Sequence, residues 1–86
     1  MACYRLEVKK SARKSLLALP RAVVQAISQI IDSLADNPYP AGCKKLSGTD
    51  HTYRIRSDDY RIVYTVDNDI LIIEVVKIGH HKDIYR

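Results

Sequence analysis

Residues 53–64 have the sequence Tyr-Arg-Ile-Arg-Ser-Asp-Asp-Tyr-Arg-Ile-Val-Tyr. Two runs of β-branched and aromatic residues that alternate with polar residues flank the turn-forming residues Ser57, Asp58 and Asp59. This pattern is typical of a β-hairpin, around which the rest of the chain has to pack. A two-residue loop at Asp58 and Asp59 sets the opposed pairs, which are Ser57 with Tyr60, Arg56 with Arg61, Ile55 with Ile62 and Arg54 with Val63.

The hairpin places three arginines on one face of the predicted sheet, because directly opposed residues share a face. We refer to this surface, formed by Arg54, Arg56 and Arg61, as the arginine face. Like charges in opposed positions destabilise a sheet unless an anion compensates them. Arg54 and Arg56 lie about 7 Å apart along the strand, a separation comparable with that of neighbouring phosphates. The pattern predicts a phosphate-binding face, and the opposite face carries Tyr53, Ile55, Ile62 and Tyr64.

Two other interpretations of the arginine face are open at this point. The arginines form an ordinary solvated surface, or they pair with Glu74 and with the turn aspartates. The register is a further condition, since a slip of one residue in the Ser57–Asp59 turn sends Arg61 to the opposite face from Arg54 and Arg56.

Length and composition predict one small soluble domain spanning residues 1–86. The longest apolar run, Ile70–Ile73, is too short to cross a membrane, and the N-terminal residues do not form a signal peptide. A cytoplasmic location is therefore expected. The net charge of +4 permits a polyanionic partner without requiring one.

The sequence predicts no metal or cofactor site. Cys3 and Cys43 lack the Cys-x-x-Cys spacing and have no histidine at zinc-ligand spacing, so we expect both to be reduced and structural. Aspartate is favoured in turns for its local hydrogen bonds, and this explains the acidic residues Asp58, Asp59, Asp67 and Asp69.

The N-terminal half predicts a strand followed by a helical hairpin. Alternation predicts a strand over Cys3–Val8, and basic residues around leucines predict a short amphipathic helix over Lys9–Leu19. A longer helix begins at Pro20 or Arg21, because proline suits a first helical turn, and ends near Asn37. Its buried stripe consists of Val23, Val24, Ile27, Ile30, Ile31 and Leu34.

Residues 37–50 contain prolines and glycines and predict a loop. Lys44 and Lys45 in this loop either extend the arginine face or are ordinary exposed lysines. After a turn at residues 67–69, the run Ile70–Ile78 predicts a central strand covered on both faces. Pairing with the preceding strand puts Glu74 beside Val63 on the arginine face.

The C-terminal residues 79–86, Gly-His-His-Lys-Asp-Ile-Tyr-Arg, predict a short polar tail. Gly79 lets the backbone turn away from the last strand. His80 and His81 lack a third metal ligand at suitable spacing and are therefore surface residues or proton-transfer groups. Tyr85 is not needed for a core and can stack on a nucleic-acid base.

The order of these elements predicts an α+β fold with an N-terminal strand, a helical hairpin on one face of the sheet, a three-stranded antiparallel meander and a short tail. Within it, four ordered motifs resemble the RelE branch of the RelE/ParE toxin superfamily. They are Lys45–Gly48, Tyr53–Arg56, Tyr60–Tyr64 and Ile78–Tyr85. The resemblance extends over nearly the whole chain.

The resemblance implies a type II toxin of bacteria or archaea, an endoribonuclease that inhibits translation. Such toxins enter the ribosomal A site and cut mRNA without a metal, by attack of a ribose 2′-hydroxyl. The resemblance also implies a RelB-like antitoxin as partner, in a hetero-oligomer able to bind operator DNA through the antitoxin.

Carried over by motif, the catalytic residues are Arg54, Arg56, Arg61, His81 and Tyr85, and the RNA-binding residues are Lys44, Lys45, His80 and Lys82. Well-known members have lysines at the positions of Arg54 and Arg56, and commonly arginine at that of His81. Arginine is a poor general base because it almost never loses its proton. Our hypothesis is that His81 or His80 transfers protons in this chain.

Two functions compete with the nuclease. A ParE-like inhibitor of DNA gyrase uses the same fold without nuclease chemistry, and fold alone does not decide activity. The other alternative is a small basic domain that binds RNA or a partner without catalysis. Arg61 together with Tyr85 and the histidines favours the nuclease.

Overall fold

The computed structural model describes residues 3–84. It contains five strands and three helices, in the order β1 Arg5–Val8, α1 Lys10–Leu17, α2 Arg21–Leu34, β2 Lys44–Lys45, β3 Thr52–Ser57, β4 Tyr60–Asp67, β5 Ile72–His80 and α3 His81–Ile84. The strands form one mixed sheet in the order β1-β5-β4-β3-β2. β1 runs parallel to β5, and every other neighbouring pair is antiparallel. The predicted α+β class is confirmed.

The strand count differs from the prediction because of β2. Lys44 and Lys45 were expected in a loop, but they pair with Arg54 and Tyr53 at the edge of the sheet. An isolated pair of lysines has no apolar alternation to mark it as a strand, so this strand exists only through its pairing with β3. The sheet therefore contains one short strand beyond the predicted meander.

Both helices are shorter than predicted. α1 ends at Leu17, where the Ala18 N–H donates to the Ser15 carbonyl and tightens the last turn. Leu17 itself is 66% exposed and does not belong to the buried stripe. α2 begins directly after Pro20 and ends at Leu34, three residues before the predicted end near Asn37.

The core lies between the two long helices and one face of the sheet, as predicted. Helices α1 and α2 contribute Ala12, Leu16, Ile27, Ile31 and Leu34, and the strands contribute Ile55, Ile62, Tyr64, Val66, Ile73, Val75 and Ile78. Burial of this much aliphatic surface is the main force that holds the helices on the sheet. Alternation then directs the intervening residues of β3, β4 and β5 to the uncovered face, which is the arginine face.

The β4–β5 register corrects the expected position of Glu74. A bulge between Val63 and Tyr64 places Lys77 opposite Val63 and Glu74 opposite Thr65, because the bulge inserts one extra residue into β5. Glu74 was expected opposite Val63, so it lies farther from the hairpin turn than predicted.

The ends of β5 also differ from the prediction. Ile70 and Leu71 were expected in the strand but lie in the preceding turn, where Leu71 has a φ of 55°. Gly79 was expected to turn the chain away from the sheet, but it lies inside β5 opposite Arg61. Within residues 3–84 no helix is long and apolar enough to span a membrane.

Candidate functional site

The hairpin register places the three arginines together as predicted. Ser57 pairs with Tyr60, Arg56 with Arg61, Ile55 with Ile62 and Arg54 with Val63. Arg56 is exposed, Arg54 is half-buried and Arg61 is only 9% exposed. Arg61 is therefore not part of a solvated surface, which excludes that interpretation for this residue.

Arg61 is fixed by the hairpin turn that precedes it. Its Nη1 donates hydrogen bonds of 3.0 Å to the carbonyl oxygens of Asp58 and of Tyr60. Asp58 has a φ of 52°, in the left-handed region that aspartate tolerates better than most residues. The turn thus holds Arg61 through backbone oxygens, whereas pairing with the aspartate carboxylates had been the alternative.

Arg61 lacks a hydrogen-bond acceptor at Nε and is repelled by neighbouring positive charges. Its Nε is buried and has no hydrogen-bond partner among the described residues. Burial lowers the pKa of Arg61 from its ordinary value, and the nearby charges of Arg56 and Arg54 lower it further. Asp59 acts in the opposite direction and is the smallest of these influences. An anion on this face would relieve the repulsion and supply an acceptor.

The C-terminal segment is attached to the same turn. The His81 N–H donates to the Asp59 carbonyl oxygen at 2.8 Å, and His81 Nδ1 lies 3.4 Å from that oxygen. Arg61 and His81 are therefore held by adjacent residues of one two-residue turn. This brings a guanidinium and an imidazole, the two side-chain types needed for charge stabilisation and proton transfer, to one end of the sheet.

His80 and Lys82 flank His81. The His80 ring lies across from Tyr60 in the β4–β5 ladder, and its centroid is 4.4 Å from that of His81. Lys82 is exposed and is the second residue of α3. Tyr85, predicted to stack on a base, lies outside the described residues.

The two lysines of β2 fall on different faces. Lys44 is opposite Arg54 and therefore belongs to the arginine face, whereas Lys45 is opposite Tyr53 and belongs to the helix-covered side. Of these two lysines, Lys44 alone extends the row of cations on the arginine face. Within residues 3–84 no group of three or more histidine, cysteine, aspartate or glutamate side chains is placed to hold a metal ion.

Sequence reasoning missed two contributors to this site. The carbonyl groups of Asp58 and Asp59 orient Arg61 and His81, but the residue names do not reveal where backbone oxygens point. Gly79, opposite Arg61, adds no side chain to the arginine face beside the guanidinium. The sequence could have indicated the role of Gly79, because a glycine inside a strand often marks a close approach of a ligand or backbone.

Comparison with known proteins identifies the family. The sequence model for the ParE toxin of the type II toxin-antitoxin system parDE matches residues 6–85. The chain belongs to the RelE/ParE toxin family. The predicted resemblance to its RelE branch is confirmed by relatives that carry the RelE name. A protein of Methanocaldococcus jannaschii named putative toxin RelE1 is 31% identical over 86 residues, 96% of each chain.

Solved structures of RelE proteins share the fold. RelE in the archaeal RelE-RelB complex of Pyrococcus horikoshii is 32% identical, with a TM-score of 0.82 over 93% of this chain and 96% of that one. RelE in the intact Escherichia coli RelBE complex is 28% identical, with a TM-score of 0.77 over 90% and 95%. The first structure is a complex of RelE with RelB, and the second is a RelBE toxin-antitoxin complex. The helix-on-sheet arrangement of this chain is therefore that of RelE toxins.

Proposed function

We propose that this family member is a ribosome-dependent endoribonuclease that cuts mRNA in the A site and so inhibits translation. The observation that carries the proposal is the attachment of Arg61 and His81 to one hairpin turn, beside Arg54 and Arg56 on the uncovered face of the sheet. RelE relatives over nearly the full length support the toxin assignment.

The reaction is an internal transfer within RNA. The 2′-oxygen attacks the adjacent phosphorus while the bond from phosphorus to the 5′-oxygen breaks, which leaves a 2′,3′-cyclic phosphate and a 5′-hydroxyl. A base accepts the 2′-hydroxyl proton, an acid protonates the leaving oxygen, and cations stabilise the charge that grows on the phosphoryl oxygens.

Arg61 suits the stabilising role. Its planar fork of donors matches a phosphoryl group, and two turn carbonyls already fix the orientation of the guanidinium. Arg56, exposed and directly opposite, and Arg54 on the same strand add positive charge along the path of the RNA backbone. Because arginine keeps its proton, none of the three serves as the base.

His81 suits proton transfer. A hydrogen bond from Nδ1–H to the Asp59 carbonyl would leave Nε2 as the proton-accepting nitrogen of the neutral ring. One imidazole supplies one proton-transfer group, whereas the reaction needs two. We therefore assign the second to Tyr85, to His80 or to the ribosome, which also positions the RNA.

An antitoxin partner follows from the same proposal. RelE relatives from Pyrococcus horikoshii and Escherichia coli are solved in complex with RelB. A cognate RelB-like segment with acidic residues would neutralise the arginine face and keep the toxin inactive. Such a complex would bind operator DNA through the antitoxin. The proposed reaction takes place in the cytoplasm, where ribosomes translate mRNA.

Primer extension on an mRNA, with and without programmed ribosomes, tests the proposal. We expect new 5′ ends at A-site codons only when ribosomes and active protein are both present. Arg61→Ala is expected to cut on the order of a hundredfold more slowly or worse, the usual cost of removing one such donor. Arg5→Ala, which removes an exposed arginine of β1 paired with Ile72 at the opposite end of β5 from His80, is the matched control and should cut normally.

The opposite outcome has a defined meaning. Absence of new ends with a folded wild-type protein would contradict the nuclease, and gyrase supercoiling would then be assayed as the ParE-like alternative. Cleavage that survives in Arg61→Ala would contradict the role given to this guanidinium.

A further inference from the structure

His80 occupies the position that caps the C-terminal helix. It is the last residue of β5 and directly precedes α3, which begins at His81. The Lys82 N–H, the second of the helix, donates to His80 Nδ1 at 3.2 Å. The first N–H groups of a helix lack intrahelical partners, and a side-chain acceptor on the preceding residue ordinarily serves the second or third of them. Histidine thus takes the place that asparagine or serine usually holds.

The His80 ring contacts two other rings. Tyr60 is its partner in the β4–β5 ladder, and the two rings meet edge to face with centroids 5.7 Å apart. The His81 ring also packs against the His80 ring, with centroids 4.4 Å apart. The capping nitrogen therefore has a position defined by the sheet, and α3 starts at a fixed angle from β5.

The cap requires an unprotonated Nδ1, because an N–H donor needs a lone pair to bind. Charged and titratable residues lie near His80 in the fold or in the chain. Lys77 lines a cavity of about 430 Å³ together with His80 and Tyr60, and Lys82 and His81 follow His80 in the chain. Arg61 faces the neighbouring Gly79. Asp59 lies across the turn, with its carbonyl oxygen engaged by His81, and Asp83 follows Lys82 in α3.

We propose that His80 is a positioning residue for His81. By accepting the Lys82 N–H while its ring packs on Tyr60, it fixes the first turn of α3, and with it the side chain of His81 beside the Asp58–Asp59 turn. The inference rests on the proposed nuclease function. It gives His80 a positioning role where the sequence had suggested RNA contact.

Two substitutions separate the cap from the ring. His80→Phe keeps an aromatic ring to pack on Tyr60 but removes the acceptor, whereas His80→Asn removes the ring and supplies a good capping oxygen. Solvent exchange of the Lys82 amide in the full chain, followed by NMR, reports the cap without requiring activity. We expect roughly fivefold faster exchange in His80→Phe and near wild-type exchange in His80→Asn.

Cleavage kinetics on programmed ribosomes report the positioning. In His80→Phe we expect a rate at saturating protein roughly tenfold lower with an unchanged half-saturating concentration, because the loss is one of orientation. His80→Asn should recover most of that rate. A raised half-saturating concentration with an unchanged maximal rate, in either variant, would overturn the proposal in favour of direct RNA contact.

The exchange measurement distinguishes a failure of the His80 cap from a failure of the proposed nuclease function. A wild-type protein that cuts no mRNA would overturn the proposed function and the positioning of a catalytic His81 with it. Lys82 exchange that is unchanged in His80→Phe would overturn the cap even in an active nuclease.

Discussion

The two faces of strand β4 are both buried, but by different means. Ile62, Tyr64 and Val66 point toward the helices and are at most 1% exposed. Val63, pointing the other way, is 8% exposed although it lies outside the core formed with α1 and α2. Its ladder neighbours on either side are Arg54 and Lys77, and the aliphatic stems of such residues cover apolar surface.

The polar groups of the two faces also differ. On the helix side the Tyr64 hydroxyl donates to the Pro38 carbonyl oxygen at 2.8 Å. On the arginine face a buried Nε of Arg61 has no hydrogen-bond partner within the described residues, and Arg56 stands directly opposite. A buried donor without an acceptor beside a like charge lowers stability, and a domain optimised only for stability would not keep it. We therefore interpret the helix side as structural and the arginine face as the candidate functional surface.

The same substitution on each face gives the largest difference in stability. Val66→Ala removes two methyl groups from the closed core and should lower the free energy of unfolding by about 2 kcal/mol. Val63→Ala should cost about half as much, because its covering side chains can move into the space. Urea unfolding of both proteins measures this difference. Equal losses would mean that the arginine face is packed as firmly as the core.

Tyr64 tests the hydrogen bond that closes the helix side. Tyr64→Phe should lower the free energy of unfolding at neutral pH by about 1–2 kcal/mol, since the Pro38 carbonyl loses its donor. Burial also raises the pKa of Tyr64 above its ordinary value of 10.0. The folded state therefore disfavours ionisation, so wild-type stability is fully present below pH 10 and falls as the pH rises beyond it.

Urea unfolding at neutral and alkaline pH separates the two contributions of Tyr64. Above pH 10, Tyr64→Phe should lose less stability than the wild type, because it lacks the buried phenol. It should still lose some stability there, because burial and Tyr39 also raise the pKa of Tyr53. Parallel losses in the two proteins would contradict the role given to the buried phenol.

The hairpin was predictable because two simple constraints fix it. The side-chain period of a strand is two, and a two-residue loop at Asp58 and Asp59 leaves one register, which the structure has. The helix stripe through Ile27, Ile31 and Leu34 is fixed by its spacing in the same way.

The features of the sheet that the sequence did not predict depend on backbone pairing. The bulge between Val63 and Tyr64 has no signature in the composition, and Glu74 was placed opposite Val63, two residues from its observed partner Thr65. Leu71 looked like the start of a strand. The Asp67 carboxylate instead accepts the N–H groups of Asp69 and Ile70, at 3.0 and 3.2 Å, and lengthens the turn.

The candidate site was likewise predictable in part. The arginine face was deduced from alternation, whereas the anchoring of Arg61 and His81 needed the positions of the Asp58 and Asp59 carbonyl oxygens. Roles carried by side-chain direction could be predicted, and roles carried by the backbone could not. His80 belongs to the second kind, because its cap depends on where α3 begins.

Arg56→Gln should give the smallest change in stability, and its sign distinguishes the two faces. Arg56 is exposed and stands directly opposite Arg61, and like charges in that position destabilise a sheet. Removing one charge should raise the urea midpoint slightly while slowing mRNA cleavage. The gain should vanish in about 1 M NaCl, where the Debye length is about 3 Å.

Lys45→Gln, which removes an exposed charge on the helix-covered side, should show no comparable salt-dependent gain. A midpoint that falls in Arg56→Gln would mean that the arginines stabilise the fold, and the contrast between the faces would then be wrong.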